Sequence, residues 1–67
     1  MTVEEALARA EQALDAALLA DLPEIRLIHG RSGGRIKAAL HRRLRSISAV
    51  RAFAVDPKNE GVTVVRL

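Results

Sequence analysis

The sequence contains no cysteine among its 67 residues and only one aromatic side chain, Phe53. Without cysteine, neither a disulfide nor a thiolate metal site can stabilise the fold, and nothing requires an oxidising compartment. No stretch approaches the roughly 18 consecutive apolar residues that a membrane helix needs, and the acidic residues spread over positions 1–24 are unlike a signal peptide. The sequence therefore predicts a single soluble domain over residues 1–67, in the cytoplasm and without a membrane partner.

Acidic residues are also absent between positions 25 and 55, although the formal net charge of the chain is only +3. The basic residues in this window are Arg26, Arg31, Arg35, Lys37, Arg42, Arg43, Arg45 and Arg51. This separation of charge predicts a basic surface that meets a polyanion, and arginine suits phosphate geometry. The alternative is a solvated helix face. Because Phe53 alone cannot form a stacking platform for bases, contacts with backbone phosphates are expected.

The predicted elements follow the order helix, strand, helix, strand, strand. Apolar residues at helical spacing predict helices over residues 2–20 and 34–46, the first capped by Thr2 with Glu5 in a capping box and ended by the Asp-Leu-Pro at 21–23. Strands are predicted at 25–28, 50–55 and 62–67, and a turn at 56–61 joins the last two in a hairpin. The result is an α/β fold, more narrowly an α+β two-layer sandwich. Strands 25–28 and 50–55 should run parallel and end at the same edge of the sheet.

The segment His-Gly-Arg-Ser-Gly-Gly at 29–34 lies at that edge, before the second helix. Its glycines let the backbone approach a ligand, and the first amides of a helix favour an anion. Phosphate is the predicted ligand. The alternative is a flexible turn whose glycines serve only the backbone conformation. No Walker loop and no G-x-G-x-x-G motif occurs, so the anion is expected to belong to a polymer. The predicted nucleic-acid-binding residues are Gly30, Arg31, Ser32, Gly33, Gly34, Arg35, Lys37 and Arg42.

Two histidines are candidates for chemistry, and they differ in position. His29 ends a strand beside the glycine loop, where it could orient a water, donate a proton to a leaving oxygen or hold a phosphate. It is the predicted catalytic residue, with a structural histidine as the alternative. His41 lies on the basic face of the second helix and is expected to be solvated. No protein metal site is predicted, although Asp56 and Glu60 should lie near His29 and could recruit hydrated Mg²⁺.

The strand that leads into His29-Gly30-Arg31, with Gly34 and a basic amphipathic helix after it, resembles the signature of the small MutS-related (Smr) domain family, H-G-K/R-G-x-G. The opening 2–7 and the ending 60–67 are similar to the family's first helix and closing strand, so the resemblance covers essentially the whole chain. The sequence departs from the family at Ser32, where glycine is usual, and at Gly33, where threonine is common. The family's first strand, with its L-D-x-H/R-G motif, should precede residue 2 and is missing.

The resemblance implies a β-α-β-α-β-β fold with a mixed sheet, here shortened to αβαββ, and binding of DNA or RNA. It also implies nicking endonuclease activity, assisted by Mg²⁺ or Mn²⁺ or independent of metal, in which His29 assists hydrolysis. The second bacterial MutS paralogue, which the ending resembles, would place this domain beside an ATPase domain that acts in recombination suppression or ribosome rescue. The missing strand leaves residues 25–28 with an open edge, so a homodimer is expected. Two alternatives to the endonuclease stay open: a non-catalytic nucleic-acid-binding module and a protein-interaction module.

Overall fold

Two helices and three strands follow one another in the predicted order. The computed structural model describes residues 2–30 and 34–67. The elements are α1 (Val3–Leu19), β1 (Glu24–Ile28), α2 (Arg35–Ser46), β2 (Ala52–Asp56) and β3 (Asn59–Arg66). Both helices contribute to one core against the sheet, which confirms the α+β class.

The last strand of the chain lies in the middle of the sheet. β3 pairs antiparallel with β1 on one side and with β2 on the other. β1 and β2 therefore run in the same direction, as predicted, but they do not touch. Mixed pairing requires two parallel strands side by side, and β3 separates the parallel pair. The described strands thus form an antiparallel sheet, which differs from the mixed sheet that the family resemblance implies.

α1 begins as predicted and ends by a different device. The Thr2 hydroxyl accepts a hydrogen bond from the Glu5 amide at 3.1 Å, which confirms Thr2 as the N-cap. At the other end Asp21 adopts a left-handed conformation, with φ of 59°. Its amide donates to the Leu18 carbonyl at 3.1 Å, and the Leu22 amide donates to the Ala17 carbonyl at 2.9 Å. These two bonds form a Schellman motif, so the helix stops before Pro23 is reached.

The hairpin between β2 and β3 is tighter than predicted. The turn consists of Pro57 and Lys58, and Asn59 already belongs to β3 and pairs with Asp56. The Asp56 carboxylate accepts a hydrogen bond from the Lys58 amide at 2.8 Å, and the Asn59 side chain accepts one from the Gly61 amide at 2.9 Å. These side chains satisfy local amides, so residues typical of a longer loop are accommodated at the start of a strand.

The core lies between the helices and the sheet. Leu44 and Val65 are almost fully buried at its centre. The core cluster consists of Ala10, Leu14, Leu27, Leu40, Leu44 and Val65. Phe53 is half-buried and packs against this cluster. None of the helices in the described ranges is long and apolar enough to cross a membrane.

β1 is an edge strand, and its end is open to solvent. Ile28, the last residue of β1, is 85% exposed. Arg26 of the same strand reaches over β3 and forms an ion pair with Asp56 of β2. Because Asp56 belongs to β2, at the far edge of the sheet, this ion pair links the two outer strands, which do not pair directly with each other.

Candidate nucleic-acid interface

His29 lies directly after β1 and is held by bonds on both ring nitrogens. Its backbone amide donates to the Gly61 carbonyl at 2.9 Å, which continues the pairing with β3 by one residue. Nδ1 lies 2.9 Å from the carbonyl oxygen of Gly30. Nε2 lies 2.8 Å from the hydroxyl oxygen of Thr63. The ring is half-buried, so part of it remains accessible to solvent.

His41 does not lie on a solvated helix face, and the prediction for it was wrong. Its Nε2 lies 2.8 Å from the same Thr63 hydroxyl, and its ring meets that of Phe53 edge-on, with centroids 4.9 Å apart. The His29 and His41 ring centroids are 6.3 Å apart and nearly perpendicular. His41 lies three residues before the buried Leu44, so the helical period places it beside the core face of α2. Burial and the neighbouring positive charges lower the pKa of His41, with burial the larger cause.

Thr63 is the site residue that sequence reasoning missed. It is fully buried and pairs across the sheet with Leu27 of β1 and Val55 of β2. Strand alternation puts it on the same face as Val65, toward the helices. The available signal was a hydroxyl at an inward position of the otherwise apolar strand Val-Thr-Val-Val, since buried polar groups need hydrogen-bonding partners.

Gly30 and Gly34 flank the loop and are both exposed in left-handed conformations, with φ of 83° and 71°. The Gly30 amide donates to the Gly61 carbonyl at 3.0 Å. That amide is therefore occupied within the domain, and the nucleic-acid contact predicted for Gly30 stays a prediction. Gly34 is the N-cap of α2 and makes no side-chain hydrogen bond. The first hydrogen bond of the helix is donated by the Ala38 amide to the Gly34 carbonyl. Gly34 therefore offers no side chain to the amides in the first turn of α2, a position that favours an anion.

The predicted basic residues do not share one surface. Arg35 and Arg42 are exposed and stand seven residues apart, which places them on the same side of α2. Lys37 is half-buried and lies about 200° around the helix from Arg35. It flanks His41 instead, together with Arg45. The predicted residues Arg31, Ser32 and Gly33 lie outside the described residues.

Two bases of the acid-free window are paired with acids from outside it. Arg43 of α2 lies 3.2 Å from Glu11 of α1, and Arg26 pairs with Asp56. The pKa of the Asp56 carboxyl is lowered by the hydrogen bond from the Lys58 amide and by the one from Arg26. The fold therefore leaves a smaller free basic surface than the sequence indicates, and it is concentrated on α2.

The residues present do not fit a divalent metal site. Within residues 2–30 and 34–67, no three histidine or acidic side chains come together in a group that could hold a metal ion. Asp56, the acid expected near His29, already accepts hydrogen bonds from Arg26 and Lys58. No step of the chemistry is therefore assigned to a protein-bound metal.

A groove of about 420 Å³ runs along the open side of β1 and ends at His29. Its apolar lining comes from both helices and from β1, and consists of Ala6, Ala10, Leu27, Ile28, Ile36 and Leu40. Arg9 and Arg26 also line it. The groove joins the open strand edge to the candidate site.

Comparison with known proteins identifies relatives over the full length of the chain. The Smr domain family model matches residues 1–67. The chain is 40% identical to "Endonuclease MutS2" of Symbiobacterium thermophilum over 70 residues, which is 100% of this chain and 9% of that protein. It is 43% identical to "Endonuclease MutS2" of Pelotomaculum thermopropionicum over 67 residues, 96% of this chain and 8% of that protein. The chain thus spans less than a tenth of the length of these relatives.

The fold agrees with a solved relative. The crystal structure of the Smr domain of Thermus thermophilus MutS2 superimposes with a TM-score of 0.96 at 40% identity, over 100% of this chain and 88% of that chain. The signature around His29, the αβαββ order and the family match over every residue agree with one another. The chain belongs to the Smr domain family.

Proposed function

We propose that this domain binds the sugar–phosphate backbone of DNA or RNA and nicks it, with His29 as the catalytic residue. The observation that carries the proposal is the position of His29, five residues before Gly34, the exposed N-cap of α2 that supplies no side-chain capping bond. A phosphate seated on the first turn of α2 would meet partial positive charge from the helix and full charge from Arg35. The names of the MutS2 relatives, which include the word endonuclease, support the same chemistry.

His29 would act as a general acid or base on the phosphodiester. Proton transfer by a positioned histidine contributes typically 10²–10⁴-fold to a rate. To act, His29 must exchange one of its two internal hydrogen bonds for a bond to the substrate or to a water. The bond from Nδ1 to the Gly30 carbonyl is the exposed one, so Nδ1 is the nitrogen that faces the loop.

The test is a nicking assay on supercoiled plasmid with the wild-type chain and the His29→Ala variant, in Mg²⁺, in Mn²⁺ and in EDTA. We expect the wild type to convert supercoiled to open circular plasmid and His29→Ala to lose at least about 100-fold of that rate. Arg51→Ala is the matched control, because Arg51 precedes β2 at the opposite end of the sheet. Equal rates for the wild type and His29→Ala would refute the catalytic role. The three buffers decide whether Mg²⁺ or Mn²⁺ takes part as the cofactor.

A binding module without hydrolysis is the second candidate function. It is favoured by the occupation of both ring nitrogens of His29 inside the domain. In that case His29→Ala lowers affinity for duplex DNA or RNA, and no plasmid is nicked in any buffer. Competition by an acidic protein but not by nucleic acid would instead indicate a protein-interaction module.

We propose that the domain serves a parent MutS-type ATPase in the cytoplasm, in recombination suppression or ribosome rescue, and that the open edge of β1 allows a homodimer. Sedimentation of the wild type and of Ile28→Lys tests the dimer, because a charge at the exposed end of β1 should block edge pairing. Identical sedimentation of the two as monomers would reject it.

A further inference from the structure

The Thr63 hydroxyl joins the two histidine rings. It lies 2.8 Å from Nε2 of His29 and 2.8 Å from Nε2 of His41. The side chain is fully buried, so water cannot replace either partner. Thr63 has a single hydroxyl hydrogen and two acceptor lone pairs. The number of donors and acceptors therefore determines where the hydrogens lie in this series of hydrogen bonds.

The Gly30 carbonyl oxygen can only accept a hydrogen bond. Because it lies 2.9 Å from Nδ1 of His29, that nitrogen carries a hydrogen. When His29 is neutral, its Nε2 is bare and accepts the Thr63 hydroxyl hydrogen. Thr63 must then accept from His41, so Nε2 of His41 carries a hydrogen. All bonds point one way, from His41 through Thr63 to His29 and on to Gly30.

Addition of one proton to His29 reverses the direction of the two hydrogen bonds that Thr63 makes. Nε2 of His29 then donates to Thr63, and the Thr63 hydroxyl turns to donate to a bare Nε2 of His41. His41 is now neutral with its hydrogen on Nδ1. Both arrangements keep the two hydrogen bonds of Thr63 and the bond to Gly30, so the three side chains accommodate one added proton without losing any of these bonds.

A second proton removes one of the hydrogen bonds of Thr63. With both rings positively charged, each Nε2 donates to Thr63, and the buried hydroxyl hydrogen is left without an acceptor, which is costly. The charged groups that face His41 are His29, which follows β1, and Lys37 and Arg45 of α2. Phe53 of β2 adds no charge. These positive neighbours oppose a second charge as well, and burial further lowers the pKa of His41.

We propose that Thr63 and His41 are positioning residues for His29 and that the three side chains form one hydrogen-bonded relay that takes up one proton and not two. The part of this inference that concerns nicking rests on the proposed function, whereas the relay itself does not. Thr63 fixes which nitrogen of His29 faces the loop, and His41 fixes the direction of the Thr63 hydroxyl. The relay thus presents Nδ1–H to the bound phosphate, as a hydrogen-bond donor or a general acid.

The relay is tested by long-range ¹H–¹⁵N correlation spectra of the two imidazole rings in the wild-type chain. At pH 8 we expect the Nδ1–H tautomer for His29 and the Nε2–H tautomer for His41, with a slowly exchanging Nε2 proton on His41. Uptake of one proton should move the His41 hydrogen from Nε2 to Nδ1, and the two rings should not carry a positive charge at the same time. An Nε2–H tautomer for His29, or independent protonation of both rings, would overturn the proposal without the need for any variant.

Variants of Thr63 distinguish the effect of its hydroxyl group from the effect of its volume. Thr63→Ser keeps the hydroxyl and should retain the protected His41 proton, whereas Thr63→Val keeps the volume and should lose it. Thr2→Val removes the other threonine hydroxyl of the chain, at the start of α1, and should leave both ring spectra unchanged. Loss of the protected proton in Thr63→Ser, or its retention in Thr63→Val, would contradict the relay.

The nicking assay distinguishes failure of the relay from failure of the proposed function. If the wild type nicks, Thr63→Val should slow it by roughly tenfold or more while Thr63→Ser stays within about twofold. Equal rates for all three would remove Thr63 from the mechanism. If the wild type does not nick, hydrolysis is rejected, and the spectra alone decide whether the relay exists.

Discussion

Thr63 shows how much can depend on one hydroxyl in a core. A valine would fill the same volume between Leu27 and Val55, and the strand would retain its β-branched character. The hydroxyl instead organises His29 and His41, two side chains that lie 12 positions apart in the sequence. The sequence predicts His29 because the loop motif surrounds it. It does not predict the pairing with His41, because a histidine next to arginines on a helix is typical of a solvated face.

The pH dependence of stability should report on His41. The folded chain lowers the pKa of His41 below the ordinary value of 6.5, so the unfolded chain binds its proton first as the pH falls. The free energy of unfolding should therefore be independent of this group well above pH 6.5 and should decrease as the pH drops from about 7 to 5. Urea unfolding at successive pH values measures this decrease.

His41→Gln removes the titrating ring and is the comparison that isolates it. The variant should be less stable at pH 8, because it loses the ring packing on Phe53. Its free energy of unfolding should nevertheless vary less between pH 7 and 5 than that of the wild type. Parallel curves for the two proteins over this interval would mean that the ring carries no shifted pKa.

At the scale of elements, helix ends and strand starts are where the sequence is hardest to interpret. The periodic apolar positions predict both helices to within one or two residues. The end of α1, however, is set by Asp21 in a left-handed conformation rather than by the proline that follows. β3 begins at Asn59, in a segment whose residues are typical of turns, because the Asn59 side chain satisfies the Gly61 amide. Such local side-chain bonds depend on three-dimensional geometry that composition does not record.

The left-handed Asp21 gives a stability prediction. Glycine adopts this conformation without the steric cost that a Cβ atom brings, although it loses more backbone entropy on folding, so Asp21→Gly should raise the free energy of unfolding by about 0.5 kcal/mol. Asp15→Gly makes the same substitution inside α1, where glycine is unfavourable, and should lower it slightly. Urea denaturation measures both. A destabilised Asp21→Gly variant would show that the aspartate side chain contributes more than its conformation costs.

At the scale of the whole molecule, charge is distributed by the fold rather than by the sequence window. Arg26 and Arg43 are drawn to Asp56 and Glu11, while Arg35 and Arg42 remain exposed on α2. The acid-free window correctly locates the basic helix. It overestimates the free charge, because the acids that neutralise part of it lie far away in the sequence and come close only on folding.

Salt dependence measures how many phosphates the basic surface contacts. If about five are neutralised, the logarithm of affinity for duplex DNA should fall against the logarithm of salt concentration with a slope near −4.5. Arg35→Ala and Arg42→Ala should each make the slope shallower by about 0.9. Arg51→Ala removes the same charge at the opposite end of the sheet and should leave the slope unchanged. A slope near zero for the wild type would exclude backbone binding.

The central place of β3 has a consequence for how the domain is made. Neither outer strand has a neighbour until the final segment of the sheet is available, since β1 and β2 each pair with β3 and not with each other. During synthesis the two outer strands therefore leave the ribosome before the strand that pairs with them in this sheet. The sheet should assemble in one cooperative event once residues 59–66 emerge, and a chain stalled before that point should remain an unfolded target for proteases.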